Sequence, residues 1–300
     1  MDIKVVSTNF YMSGSYINHL DTQQFLVDEG FNSTYYYLDN QWARIWNTLL
    51  KTKRKYTLGT MRNLKKVSKI KGDIIITDFR SLILLNHFKK KVECSKLIVM
   101  DAVELTYHLL NMEDAHRWMW WDFSYKTPIY NFLDNVKADE LTFSMPPCNY
   151  KVFRKKYPDL KAKIFFKKIN TRVLETIKTK DNGKYFHRWD EPNVVYYILR
   201  NIPEIKSFEN GKEETLFEYK GFVYCRRKKL RFHEQFGRLI FEFVILGKDV
   251  YFLGDPYGIK DGISDYLKHY KIKFNERNKI ITKPNDLKEK MTPYGESIWK

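Results

Sequence analysis

Three hundred residues suit one large domain or two medium ones, and an apolar fraction of 43%, with aromatics at 16%, is ample for a real core. Lys and Arg total 53 against 36 Asp and Glu, a net charge of +17, which favours a polyanionic partner, nucleic acid first and an anionic membrane surface second. A blander explanation also stands, an AT-rich coding sequence that raises Lys without purpose; no internal repeat, low-complexity tract or membrane-length apolar run points to another class.

Ile3 to Ser7 reads as a short apolar strand. A small-residue loop around Gly14 follows, then a helix from Ile17 to Glu29 that Gly30 stops, then a strand from Ser33 to Leu38. This order predicts a βαβ unit and a parallel sheet. No G-x-G-x-x-G follows the first strand, which counts against a dehydrogenase and against the commonest methyltransferase pattern. Trp42 to Lys51 is predicted helical. From Lys51 to Lys71 the chain carries nine Lys and Arg residues and no acid. This is either a solvated face or a surface that tracks a nucleic-acid backbone through Lys51, Lys53, Arg54, Lys55, Arg62, Lys65 and Lys66, with Tyr56 and Met61 interleaved.

Strands are expected at Asp73 to Thr77, Leu97 to Met100 and Glu140 to Ser144, with helices at Arg80 to Phe88, Glu104 to Leu110 and Phe132 to Val136. Ligands of open α/β sheets bind at the carboxyl ends of strands, where Ser7 to Asn9, Asp78 and Asp101 fall. The aromatic stretch Met112 to Tyr130 is either a packed cluster or a platform on which a sugar or base stacks. Tyr150 to Lys168 reads as a basic linker. A boundary near 165 divides the chain into halves 1–165 and 166–300.

In the second half Lys184 to Trp189 is a predicted strand, and Asp190 caps a helix. Phe217 to Lys220 is a strand or an extended connection. Phe222 to Leu253 reads as strand, basic turn, helix, strand. Glu234, Arg238 and Glu242 are spaced by four and share one side of the predicted helix. Leu239, Ile240, Phe243, Val244 and Leu246 fill a core-facing side, and Gly247 sits at the C-cap. Helices are expected at Gly262 to His269 and Leu287 to Met291, with a last strand at Ile280 and Ile281. Cys94, Cys148 and Cys225 are far apart and odd in number, which suits reduced thiols. MDIKVV runs straight into a strand without a signal peptide, so a cytoplasmic protein is expected.

The run EQFGRLIFEFVILGKDV resembles the nucleotide-sugar signature of GT-B glycosyltransferases, in which two glutamates flank seven residues, Phe-Gly follows the first, and a glycine closes the helix. Glu234, Phe236, Gly237, Glu242 and Gly247 stand in those places. The resemblance implies an α/β fold of two Rossmann-like domains facing across a cleft, with the C-terminal PYGESIWK packing back across the first half. It implies a nucleotide-diphosphate sugar as co-substrate, a UDP-sugar foremost, and no separate cofactor. Glu242 would bind ribose hydroxyls and Glu234 would lie near the donor sugar. The amides of Gln235, Phe236 and Gly237, with Arg188 and Arg227, would face the diphosphate, and Gly14 would line the donor-side loop. No D-x-D stands at a strand end, so no metal is expected in the donor site. Asp101, delivered by the apolar run LIVM, is the expected general base; capping the next helix is its structural alternative.

Two departures from the family pattern stand out. Gly254 and Gly258 are split where a Gly-Gly loop is usual, and the donor-side glycine loop is reduced to Gly14. For the acceptor, a hydroxymethylated pyrimidine base in DNA fits the charge, and the setting resembles phage enzymes that glycosylate such bases in the host cytoplasm. A surface or lipid-linked glycan is the second possibility. A non-catalytic nucleic-acid-binding protein is the third.

Overall fold

The apolar runs of the first half are short and nearly continuous, the pattern of strands buried on both faces. In the computed structural model these runs form one parallel sheet. The structure describes residues 1–8, 14–38, 53–100, 105, 108–109, 128–178, 180–187, 202, 205, 208–210, 217–225, 236–255 and 262–299. The strands of this sheet are β1 (Asp2–Val6), β2 (Asn32–Tyr37), β3 (Thr60–Asn63), β4 (Lys69–Lys71), β5 (Ile74–Asp78), β6 (Lys91–Met100), β7 (Val136–Ser144) and β8 (Lys163–Phe165). Their order is β3-β2-β1-β5-β6-β7-β8, with β4 beside the first residues of β6.

The period of two decides which side chain meets which layer. Ile3, Val5, Ile74, Ile76, Ile98 and Met100 point to the face covered by α1 (Gly14–Asp28). Val6, Ile75, Leu97, Val99 and Phe143 point to the other. That face is covered by α2 (Phe79–His87), α3 (Ile129–Leu133) and α4 (Pro147–Lys156).

After α5 (Thr171–Glu175) a second parallel sheet begins. Its strands β9 (Tyr185–His187), β10 (Phe208–Asn210), β11 (Gly221–Cys225) and β12 (Asp249–Leu253) lie in the order β10-β9-β11-β12. Phe222, Tyr224, Val250 and Phe252 pack under α6 (Arg238–Ile245), α7 (Gly262–His269) and α8 (Pro284–Met291); Val223, Tyr251 and Leu253 fill the opposite face. The chain ends in α9 (Glu296–Trp299), which returns to the first half as expected. Tyr294 and Ile298 join the α1-side core, and the Trp299 ring lies 5.1 Å from that of Phe31.

Several expectations are corrected. The presumed linker after Tyr150 is largely structured. Pro147 opens α4, whose Phe153 is buried while Lys151, Arg154 and Lys155 take the solvent side, and β8 adds a further strand to the first sheet. The helix expected from Phe132 ends at Leu133, and Val136 already belongs to β7. Ile280 and Ile281 make no strand; Lys279 and Ile280 form isolated antiparallel bridges with Tyr251 and Phe274. The helix expected at 42–51, the one after Asp190 and the aromatic stretch 112–127 lie outside the described residues.

Two positions carry sharp structural requirements. A Cβ on Gly221 would come within 2.5 Å of the Asp249 carbonyl and 2.6 Å of the Tyr185 ring, which is itself held by a 2.7 Å bond from its hydroxyl to Asp249. Gly221→Ala is therefore expected to cost on the order of 2 kcal/mol, read as a lower urea midpoint at unchanged slope. His108 is fully buried, with Nε2 2.5 Å from the Tyr157 hydroxyl. Burial, helped by Lys156, lowers its pKa from 6.5 to about 4. The unfolded chain then binds the proton first, so this contribution is complete above pH 6.5 and is lost as pH falls toward 4. It amounts to about 3 kcal/mol at most. His108→Phe should flatten the stability profile in that window, followed by urea unfolding at stepped pH; a profile as steep as wild type would show that other groups drive it.

Candidate functional site

In a doubly wound sheet the crevice opens where the winding reverses, at the carboxyl ends of the strands. In the first sheet that point lies between β1 and β5, which are paired in parallel with Val6 opposite Thr77. The residues just beyond are polar and buried: Ser7, Thr8 and Asp78. The Asp78 carboxylate caps α2, accepting from the Ser81 amide at 2.6 Å. The Ser81 hydroxyl accepts from the Thr8 amide at 2.8 Å and lies 3.0 Å from the Thr8 hydroxyl. The second Asp78 oxygen makes no hydrogen bond among the described residues and stands 3.7 Å from Nε2 of His19, a residue of α1. Tyr35 borders the same buried cluster of polar groups; burial raises its phenol pKa, so it stays protonated and can donate. A carboxylate, an imidazole and several hydroxyls are thus gathered at the switch point, all of them buried.

Beside this crevice the two halves meet through charge. Glu242 on α6 is fully buried. Its carboxylate accepts two 2.8 Å bonds from Nη2 of Arg54 and one of 2.6 Å from Nε of Arg238, one turn earlier on the same helix. Arg238 reaches across to Asn18 and Asp21 of α1. Tyr56 donates to the other Asp21 oxygen at 2.7 Å. Burial alone would raise the Glu242 carboxyl, but Arg54 and Arg238 outweigh it and hold the pKa below the ordinary value. Burial likewise opposes the charge on Arg238, and Asp21 and Glu242 overcome it. The four charges sum to zero, as a buried cluster requires. Arg54 also lies over the Phe217 ring at 5.0 Å, while its Nε and Nη1 have no acceptor among the described residues.

The sequence-predicted site residues divide into three groups. Asp101, Arg188, Arg227, Glu234, Gln235 and Lys51 lie outside the described residues. Asp101 directly follows Met100, whose Cα is paired with both Asp78 and Ser144 at the carboxyl edge. Gly14 opens α1. The exposed cations are Lys53, Lys55, Arg62, Lys65 and Lys66, and Lys53 pairs with Glu218 of the second half. Arg54 is a correction: only 4% exposed and bound to Glu242, it belongs to the interior and not to a phosphate-tracking surface.

The helix carrying the motif is also shorter than expected. It starts at Arg238, so Arg238 and Glu242 form the i, i+4 pair and Glu234 is not on it. Phe236 is core, its ring 5.0 Å from Phe241. Gly237 is the N-cap at φ 62°, and a Cβ there would also strike Ile263 at 2.5 Å. Glu242, expected on ribose hydroxyls, has both oxygens engaged by arginines in this arrangement.

Sequence reading passed over Asn18, His19 and Asp21, and placed Tyr56 in a basic surface, whereas its hydroxyl bonds Asp21 of α1. The signal was present: α1 carries Asn18, His19, Asp21, Thr22 and Gln23 among Ile17, Leu20, Phe25 and Leu26, and every one of these is buried. Polar residues on several sides of a helix with no exposed face mark one sandwiched between two partners.

Among the described residues no group of His, Cys, Asp and Glu is assembled as metal ligands, and no helix is long and apolar enough to cross a membrane. Glu242→Gln should destabilise by on the order of 3 kcal/mol, because it leaves two buried guanidinium groups sharing one carboxylate. Urea denaturation reads this directly, and an unchanged midpoint would show that Glu242 is not held in the interface. Comparison with models of known protein families and with curated proteins finds no match for this chain.

Proposed function

We propose that this protein is a glycosyltransferase of GT-B type that moves a sugar from a nucleotide-diphosphate sugar to an acceptor hydroxyl, the favoured acceptor being a hydroxymethylated pyrimidine base in DNA. One observation carries the reading. In sequence the stretch 226–235 lies between the carboxyl end of β11, a strand beside the switch point of the second sheet, and Phe236 with the left-handed Gly237 at the start of α6. That is where a parallel sheet offers loops and helix amides to a ligand. A second parallel unit and a C-terminal helix that returns to the first half agree with the same family arrangement.

In this reading the donor's diphosphate meets the basic stretch from Arg226 to Arg231, with Arg188, while Glu234 serves the donor sugar. Glu242 is not counted among the donor ligands, since its oxygens hold the interface. Asp101 takes the proton of the acceptor hydroxyl as that oxygen bonds to the anomeric carbon. The bond from that carbon to the diphosphate oxygen breaks, and the nucleoside diphosphate leaves with the electron pair, stabilised by the arginines. Asp78 is the poorer candidate base, because one of its oxygens is committed to the start of α2.

The test is release of nucleoside diphosphate from a panel of sugar donors, with and without hydroxymethylated duplex DNA. Release that rises with the DNA is expected. Asp101→Asn should lower turnover by at least 100-fold while leaving donor affinity within about twofold. Release indifferent to DNA would move the acceptor to a glycan. No release and no donor binding by the folded protein would overturn the enzyme reading.

A further inference from the structure

Two basic runs separated in sequence are brought together by the first sheet. β4 lies alongside the start of β6, so Lys69 and Lys91 are register partners. The Lys91 amide donates to the Ser68 carbonyl at 3.1 Å, and Nζ of Lys90 to the Val67 carbonyl at 2.6 Å. Lys65, Lys66, Lys69, Lys89 and Lys91 are exposed. Residues 60–71 and 86–92 contribute no acid. Glu93, which follows, is already bonded to Lys69, and that bond pulls its pKa down. Within this array Lys65 and Lys90 flank a shallow groove lined by Leu38, Leu64 and Phe88. Leu38 and Leu64 are core residues, but Phe88 remains 38% exposed.

We infer that this face binds a nucleic-acid strand, the lysines tracking its phosphates and Phe88 offering a stacking surface to one base. A row of amines alone suits any polyanion. An aromatic ring set in a groove between amines suits a ligand that alternates charge with flat π-faces, which nucleic acid does and a lipid surface does not. The inference rests on the nucleic-acid part of the proposed function and not on sugar transfer. It adds residues 88–91 to a surface that sequence order alone leaves split.

Full-length protein is titrated against fluorescently labelled, unmodified single-stranded and duplex oligonucleotides across a range of salt. Lys66→Glu with Lys91→Glu should weaken binding at least tenfold at about 100 mM salt, and the slope of log K against log salt should become shallower by about 2. Phe88→Ala should weaken single-strand binding about fivefold or more, with a smaller effect on duplex. Lys268→Glu with Lys273→Glu, exposed cations of the second half, should leave affinity within about twofold. All variants are first checked for an unchanged thermal midpoint.

Equal losses from the two charge-reversal pairs would overturn the inference, since binding would then follow net charge alone. So would a Lys66/Lys91 variant that loses affinity for phosphatidylserine vesicles and keeps it for DNA. A protein that binds DNA through this face yet releases no nucleoside diphosphate refutes the transferase and leaves this surface standing. Sugar transfer to DNA at wild-type KM by the Lys66/Lys91 variant refutes this surface and leaves the transferase.

Discussion

The buried cluster of Asp21, Arg54, Arg238 and Glu242 is the constraint on which the relation between the two sheets depends. Each sheet has its own apolar core, but the surfaces that meet beside the first switch point are polar. Four charges taken out of water cost several kcal/mol apiece and are tolerable only when each is matched. Here each carboxylate oxygen has a donor, while Nε and Nη1 of Arg54 have no acceptor among the described residues. Arg238 ties the two halves together by bonding Asp21 of α1 and Glu242 of its own helix at once. Tyr294 adds to it by bonding the Thr22 hydroxyl at 2.6 Å, so the end of the chain and α6 hold the same helix.

That arrangement explains why α1 defeats ordinary pattern reading. A helix with one partner shows one apolar stripe. α1 shows Leu20 and Leu26 to the sheet, Asp21 and Asn18 to the second half, and Gln23 to the Leu58 carbonyl. By contrast the strands were legible, because parallel strands covered on both faces need unbroken apolar runs. IIIT and LIVM could hardly be anything else. The helix from Gly262 to His269 was legible too, since its buried side (Ile263, Tyr266, Leu267) and solvent side (Lys268, His269) separate cleanly. The short strands β3, β4, β8 and β10 were missed altogether, and elsewhere boundaries failed. α4 was hidden by lysines that merely occupy its wet side. The first residues of β6 were hidden because Lys91 and Ser95 alternate outward.

The site was legible to a lesser degree, and for a physical reason. The spacing of Glu234, Arg238 and Glu242 implies a shared helix side only if the helix spans all three. Gly237, at positive φ, begins it between the first and second. The same glycine serves the close packing of Ile263 against α6, and Phe236 serves the core. Half of the motif therefore has a purely architectural explanation, and Glu242 has an electrostatic one. What remains for ligand chemistry is the stretch between Cys225 and Phe236, which is the part joined to the carboxyl end of a strand.

Arg54 and its neighbours show how charge in a sequence separates once the chain folds. Between Lys53 and Lys71 the residues look equivalent, one basic tract. Folding sends Arg54 inward, where Nη2 donates to both Glu242 oxygens and the flat guanidinium lies over the Phe217 ring. Lys53 is spent on Glu218, and Lys69 on Glu93. Meanwhile the turn after α2 sets Lys89 in a left-handed conformation at φ 49° and places Lys90 and Lys91 beside the tract. A net charge of +17 therefore says little about where a polyanion would sit. The parallel pairing of β4 with β6 says more, because it decides which amines stand together, with the exposed Phe88 ring beside them.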